Sequence, residues 1–362
     1  MNELRPTNAG TFMAMEIAEQ PARWLSALGE QRGSIERAAA VISACAPELL
    51  VLGARGSSLH AALYAQVLVQ ERMARPALLS TMSTVTMFGA EVRYPRSVFV
   101  AISQSGRSPD LIDTARSMRS AGMPVVALTN DPSSELAVAA DVHIDLCAGP
   151  EQSVAATKTF TAELIALYLL VGMSAGRSWT ALAGDVSRTA ALVEAQLSTA
   201  SPAERDAASL VAAEDKLLVV GRGYSFCTAK ETALKIMETS AVAASGWSSA
   251  EALHGPIGQV ETGTPVIVFT SDRRARESIG ALVTRVAAVG ARLITVGPEP
   301  VPGTRQASTS ERVSIAVDQA PDAALQPLVD VVVGQRLALE VSLRRGMDPD
   351  RPPALTKVTR TV

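Results

Sequence analysis

The sequence predicts an α/β protein of two tandem, doubly wound parallel-sheet domains, and three observations carry that expectation. Its 362 residues exceed what one core sustains, since single cores stop growing near roughly 250 to 300 residues. Continuous apolar runs of Val, Ile and Leu alternate with helix-like stretches such as DLIDTARSMRSAG and RESIGALVTRVAAVG. That is the pattern of strands buried on both faces and joined by right-handed helical crossovers. The runs also recur: LLVLG at 49–53 answers LLVVG at 217–221, VFVAIS at 98–103 answers VIVFTS at 266–271, and VVALT at 125–129 answers LITVG at 293–297, each pair 168 positions apart. A duplicated domain follows.

Along the chain, a helical arm is expected over about 10–46, ahead of the first copy. Strands at 49–53, 98–103 and 125–129 come next. Gly122 ends the helix before the third strand, as Gly290 does at the same offset, and VHIDL at 142–146 answers VSIAV at 313–317 with a slip of three. Helical segments from about 155 to 212 bridge the copies. One of them holds the longest apolar run, LIALYLLVGM at 164–173, far short of the roughly 20 residues of a membrane span and therefore a buried helix. The expected division is 1–195 for the arm and first domain, 196–346 for the second, and 347–362 for a tail. The tail's DPDRPPALTK has too much proline for a helix and should lie across the surface.

Composition narrows the function. Hydrophobic content of 48%, charged residues at 19% and a net charge of -3 describe a globular protein without a polycationic face, so nucleic acid is not an expected partner. Aromatic residues at 4% leave few stacking platforms for bases. MNELRPTNAG lacks the apolar region of a secretory signal. Cys45, Cys147 and Cys227 are scattered beside apolar segments without CxxC spacing, so reduced, buried thiols in a cytoplasmic protein without membrane association are expected. No His, Cys and carboxylate cluster has metal spacing, and neither GxGxxG nor GxxxxGK[ST] occurs. No metal and no cofactor are expected.

In open α/β sheets, ligands bind where strands end and helices begin. ISQSGRSPD at 102–110 fills such an edge with Ser103, Gln104, Ser105, Gly106 and Ser108. Ser108 stands at the N-cap and Pro109 at the first helical position. Backbone N–H groups, the helix dipole and the hydroxyls together form an anion pocket without a full positive charge, suited to phosphate. GARGSS at 53–58 adds Gly56, Ser57 and Ser58 beside it. Serine and glycine also populate any turn, and an N-cap serine needs no ligand. The second copy reads VFTSDRR at the equivalent place, so the copies differ in chemistry while sharing their strands.

In AKETALKIMETS, Glu231, Lys235 and Glu238 are spaced i, i+4, i+7 and line one helix face. Two carboxylates flanking an ammonium can hold one of them ionised as a base; a solvated, salt-bridged face is the competing reading. Leu234, Ile236 and Met237 around that face, and a helix start at the edge of its sheet, favour the base. His254 in AEALHGP suits proton transfer near neutrality. His143 within VHIDL reads as structural, and His60 as either a pocket neighbour or a packing residue. Lys357 in isolation reads as a tail lysine.

Together GARGSS, ISQSGRSPDLID, GPEQSVAATKTFTAEL, GRGYSFCTAKETALKIMETS, AEALHGPIG and RPPALTKVTRTV resemble, in order and over nearly the whole chain, the double sugar-isomerase-domain (SIS) family. Its members include the isomerase half of glucosamine-6-phosphate synthase and free-standing relatives. The resemblance implies flavodoxin-like, three-layer αβα domains. It implies that Ser58, Ser103, Gln104, Ser105 and Ser108, with Gly56 and Ser57 beside them, hold a sugar phosphate, and that Val154, Ala155 and Ala156 line the sugar. By the same resemblance Glu238 moves the proton between C1 and C2 with Glu231 and Lys235 as companions. His254 assists ring opening and reaches the neighbouring subunit's site in a homodimer, and Lys357 lies beside the carbonyl carbon, where a Schiff base is proposed for the synthase.

Departures from the family pattern shape the expected reaction. The synthase carries an N-terminal glutaminase domain and none is expected here, so the reaction implied is release of ammonia from glucosamine 6-phosphate, leaving fructose 6-phosphate. Ala156 stands where the synthase pattern VAST has serine, and Ala243 and Ser245 where it has histidine and glutamate, with Trp247 nearby. Another amino-sugar phosphate or a fructosamine phosphate is therefore a further candidate substrate. A plain aldose–ketose phosphate isomerase and a non-catalytic sugar-phosphate sensor are the rivals. Glu238, His254 and Lys357 together favour an enzyme, because a sensor needs only the serine pocket.

Overall fold

A computed structural model describes residues 9–199, 201–298, 311–353 and 355–357; the KVTRT ending beyond Lys357 lies outside them. The described residues divide into two compact units that interleave along the chain. The N-terminal unit holds Glu19–Glu151 and Lys158–Ala190. The C-terminal unit holds residues 9–18, Gln152–Thr157 and Ala191–Lys357, so the start of the first helix, a short loop and the tail all join the second sheet.

The helical arm is α1 (Thr11–Glu30) and α2 (Arg32–Cys45). The N-terminal unit continues with β1 (Leu49–Gly53), α3 (Gly56–Met73), β2 (Ala77–Leu79), α4 (Ser83–Thr86), β3 (Ser97–Ile102), α5 (Pro109–Ser120), β4 (Val125–Thr129), α6 (Glu135–Ala139), β5 (Val142–Asp145) and α7 (Lys158–Ser174), followed by α8 (Trp179–Leu197). Its five strands are all parallel, in the order β2-β1-β3-β4-β5. This is the flavodoxin-like order. All six residues of β3 are buried, and Val51, Phe99, Ala101, Leu111, Val125 and Ala127 pack into one core. LIALYLLVGM lies within α7, buried from Lys158 to Gly172.

The C-terminal unit comprises α9 (Pro202–Ala212), β6 (Lys216–Gly221), α10 (Ser225–Ser240), β7 (Ala243–Ser248), α11 (Ser249–Ala252), β8 (Pro265–Phe269), α12 (Arg276–Ala288), β9 (Arg292–Gly297), β10 (Arg312–Ala316) and α13 (Gln326–Arg344). Its order, β10-β9-β8-β6-β7, is the first sheet's order counted from the other end. The duplication reaches the strand register: Leu50 faces Val98 and Ala77, and 168 positions on Leu218 faces Val266 and Ser245. The slip of three persists, since Val126 faces Val142 while Ile294 faces Val313.

Two expectations need correction. Cys227 is buried, but Cys45, the last residue of α2, and Cys147, in a left-handed turn at φ 54°, are half-buried at element ends where packing closes on one side only. The tail forms no helix among its described residues, yet it is not merely a surface strap. Asp350 is 5% exposed and Pro352 is buried, because the tail supplies hydrogen bonds described below. No helix among the described residues is long and apolar enough to cross a membrane.

Candidate functional site

Each unit carries its own set of candidate groups. In the N-terminal unit, β1 and β3 are neighbours at the point where strand order reverses, so the loops leaving their C-terminal ends face one crevice. The loop after β3 turns at Gly106, whose φ is 61° and where a Cβ would overlap the Ser134 hydroxyl. Only glycine fits that turn. The Gly106 N–H donates to Ser103 Oγ at 3.1 Å and the Arg107 N–H to Ser105 Oγ at 3.3 Å. Gln104, half-buried, is held by its carbonyl, which accepts from the Asn130 N–H at 3.0 Å. Ser108 is the N-cap of α5, but its hydroxyl makes no capping bond.

The loop after β1 starts α3 at Gly56, with Ser57 half-buried and Ser58 buried. Ser58 Oγ donates to Glu163 Oε1 on α7 at 2.7 Å. Its proton is therefore committed to a carboxylate, and an arriving ester has to win it by rotation of the hydroxyl. Two arginines flank the pocket, each neutralised by an aspartate. Arg55 approaches the buried Asp110 Oδ2 through Nη2 at 2.7 Å and Nε at 2.9 Å, tying the two loops together, and Arg107 pairs with Asp131 at 2.9 Å. Sequence reasoning passed over Arg55, Asp110 and Glu163; a charge inside GARGSS or TAELIALYLL was the available signal.

His60 is half-buried on α3. His143 is structural: its Nε2 lies 2.8 Å from Thr129 Oγ1, and burial holds its imidazole below the usual range.

In the C-terminal unit, α10 begins at the C-terminal end of β6 and carries Glu231, Lys235 and Glu238. Lys235 Nζ stands 3.4 Å from Glu231 Oε1 and 2.5 Å from Glu238 Oε2. The side chains of Glu231 and Lys235 are 0% and 1% exposed and that of Glu238 is 22% exposed. The face is thus not a solvated one, and the reading of a buried array prevails. Removing one partner from such a buried set costs about 3–5 kcal/mol, far above a surface pair. Only Glu238 of the three meets the exterior.

In the 152–157 loop, Ala155 is buried while Val154 and Ala156 are half-buried. The Lys357 ammonium donates to Ser153 O at 2.7 Å, which brings the tail lysine onto that loop. His254 is exposed on the turn after α11. Ser245 lies on β7 and donates to Gln259 Oε1 at 3.0 Å. Trp247 packs against the core of the second sheet and carries the Lys230 ammonium 5.0 Å above its ring.

The second copy's counterpart of the serine pocket is filled from within. Ser271, which is 168 positions after Ser103, donates to Asp330 Oδ1 on α13 at 2.8 Å, and Gln326 Nε2 donates to the same oxygen at 2.9 Å. Asp330 is fully buried, and burial pushes its carboxyl up to about 7. An internal carboxyl occupies the edge that would otherwise suit an anion. Its signal in the sequence was a lone acid inside LVDVVV. Among the described residues, no group of three or more His, Cys, Asp or Glu side chains is arranged to hold a metal ion.

The SIS domain profile matches residues 44–173 and 210–344. A glutamine–fructose-6-phosphate aminotransferase (isomerizing) of Pyrococcus horikoshii is 31% identical over 350 residues, which cover 96% of this chain and 57% of the relative. The protein of the same name from Aeropyrum pernix is 34% identical over 367 residues, covering 96% and 56%. The chain thus spans little more than half the length of these curated relatives. A solved structure from Silicibacter pomeroyi, assigned as a phosphosugar isomerase, is 31% identical with a TM-score of 0.81, covering 94% of this chain and 99% of that one.

Proposed function

The chain belongs to the SIS domain family, and from that premise we propose that it is a phosphosugar isomerase that deaminates an amino-sugar phosphate, glucosamine 6-phosphate above all. The relatives named for amino transfer to fructose 6-phosphate support the substrate pair. The observation that carries the chemistry is the buried Glu231–Lys235–Glu238 array with Glu238 alone at the surface.

In this reading the hydroxyls and main-chain N–H groups of Ser103–Ser108 take the phosphate, with Ser57 and Ser58 beside them. Val154 and Ala156 line the sugar. His254 opens the ring. The Glu238 carboxylate takes the proton from C2 of the open-chain aldehyde and returns it to C1, so the 2-amino aldose becomes a ketose imine. Water adds to C2 and ammonia leaves, giving fructose 6-phosphate. The negative charge that develops on O1 is met by the Lys357 ammonium, a dipolar and cationic stabilisation of the kind that contributes most to such steps. The exposed His254 suits a homodimer in which each subunit lends it to its neighbour.

Purified protein with glucosamine 6-phosphate should release ammonia and fructose 6-phosphate in equal amounts. Ketose formation without ammonia from a non-amino aldose phosphate would instead favour plain isomerisation, and binding without turnover would favour a sensor.

A further inference from the structure

The first turn of a helix presents unpaired N–H groups at the positive end of its dipole, and a residue just before the helix usually supplies the cap. At α1 the preceding residue is Gly10, with φ at 72° and no side chain to offer. A Cβ there would lie 2.7 Å from Leu339 and 3.2 Å from Pro349. The cap comes from the far end of the chain instead. Asp350 accepts from the Phe12 N–H through Oδ2 at 2.9 Å and from the Met13 N–H through Oδ1 at 2.8 Å, while Asp348 Oδ1 accepts from the Gly10 N–H at 3.1 Å. Asp348 also accepts from the Asp350 N–H at 3.1 Å, which fixes the turn between them.

One turn further along α1, the buried Glu16 carboxylate accepts from the backbone N–H groups of Gln152 and Ser153. The circuit closes at Ser153, whose carbonyl accepts from Lys357 Nζ. The opening turns of α1 thus hold the tail through Asp348 and Asp350, and the 152–157 loop through Glu16. A lysine on a free tail would have to order a long, rotamer-rich stem before it met a substrate.

We infer that Asp350, supported by Asp348 and Glu16, is a positioning residue that clasps the tail to α1 and so places Lys357 on the 152–157 loop. The inference rests on the reading that Lys357 and this loop meet the sugar.

The experiment is a double-mutant cycle on the full chain with glucosamine 6-phosphate, run beside acylation of Lys357 followed by peptide mass spectrometry. Asp350→Ala should raise the acylation rate of Lys357 and lower kcat roughly ten- to a hundredfold with little change in KM. Asp350→Asn, which keeps one acceptor, should fall between the two. Asp350→Ala combined with Lys357→Ala should be no slower than Lys357→Ala alone, because both act through one ammonium. Lys357 acylation that stays at the wild-type rate in both Asp350 variants, or losses that add in the double variant, would overturn the inference. If the wild-type chain does not turn the sugar over, the substrate reading fails while the acylation result still decides the clasp.

Discussion

Glu238 is set apart from Glu231, the other carboxylate beside Lys235, by its access to the exterior. Glu231 and Lys235 are buried on α10, whereas Glu238 on the same helix is 22% exposed with the Lys235 ammonium 2.5 Å from one oxygen. Glu238→Gln keeps the shape and removes the base, so turnover should drop by about 10² to 10⁴. The affinity for an unreactive hexitol 6-phosphate should stay within about twofold, as the ester is held elsewhere. Turnover equal to wild type would take Glu238 out of the role. The i, i+4, i+7 spacing was readable in the chain, but the burial of Glu231 and Lys235 that leaves Glu238 alone exposed was not.

At the level of elements, α13 decides how the second sheet's edge behaves. Its Asp330 sits where Ser271 and Gln326 converge, and burial raises the carboxyl from its ordinary value of 3.8 to about 7. The folded protein therefore holds a proton there that the unfolded chain has released above about pH 4. The associated stability is complete below that pH and is lost as pH climbs through about 7. Asp330→Asn should flatten the fall in unfolding midpoint between about pH 4 and 7; an unchanged slope would mean that other groups set it. The strands β2 and β7 went unrecognised because β2 has only three residues and β7 reads AASGWS, so neither shows the apolar run by which the other strands are read.

The whole molecule is two copies of one sheet order whose chemistry has diverged, one edge lined with serines and the other plugged by Asp330. The cross-subunit role proposed for His254 has a direct check. Glu238→Gln and His254→Ala chains, each inactive alone, should regain turnover when refolded together, since a mixed dimer then contains one site with both groups intact. No recovery in confirmed mixed dimers would confine His254 to its own chain. The central strands, the 168-residue duplication and the helix face of Glu231, Lys235 and Glu238 were readable from the sequence alone, because apolar period and helical spacing are local patterns that need no partner to be read, whereas the order of the strands in each sheet came from the structure. Tertiary structure alone decided which carboxyls are buried and what they hold: Glu163 on Ser58, Asp330 on Ser271, and Asp350 on Phe12, pairs 105, 59 and 338 positions apart. No local pattern marks a partner at such separations; only the packed chain brings donor and acceptor within hydrogen-bond reach.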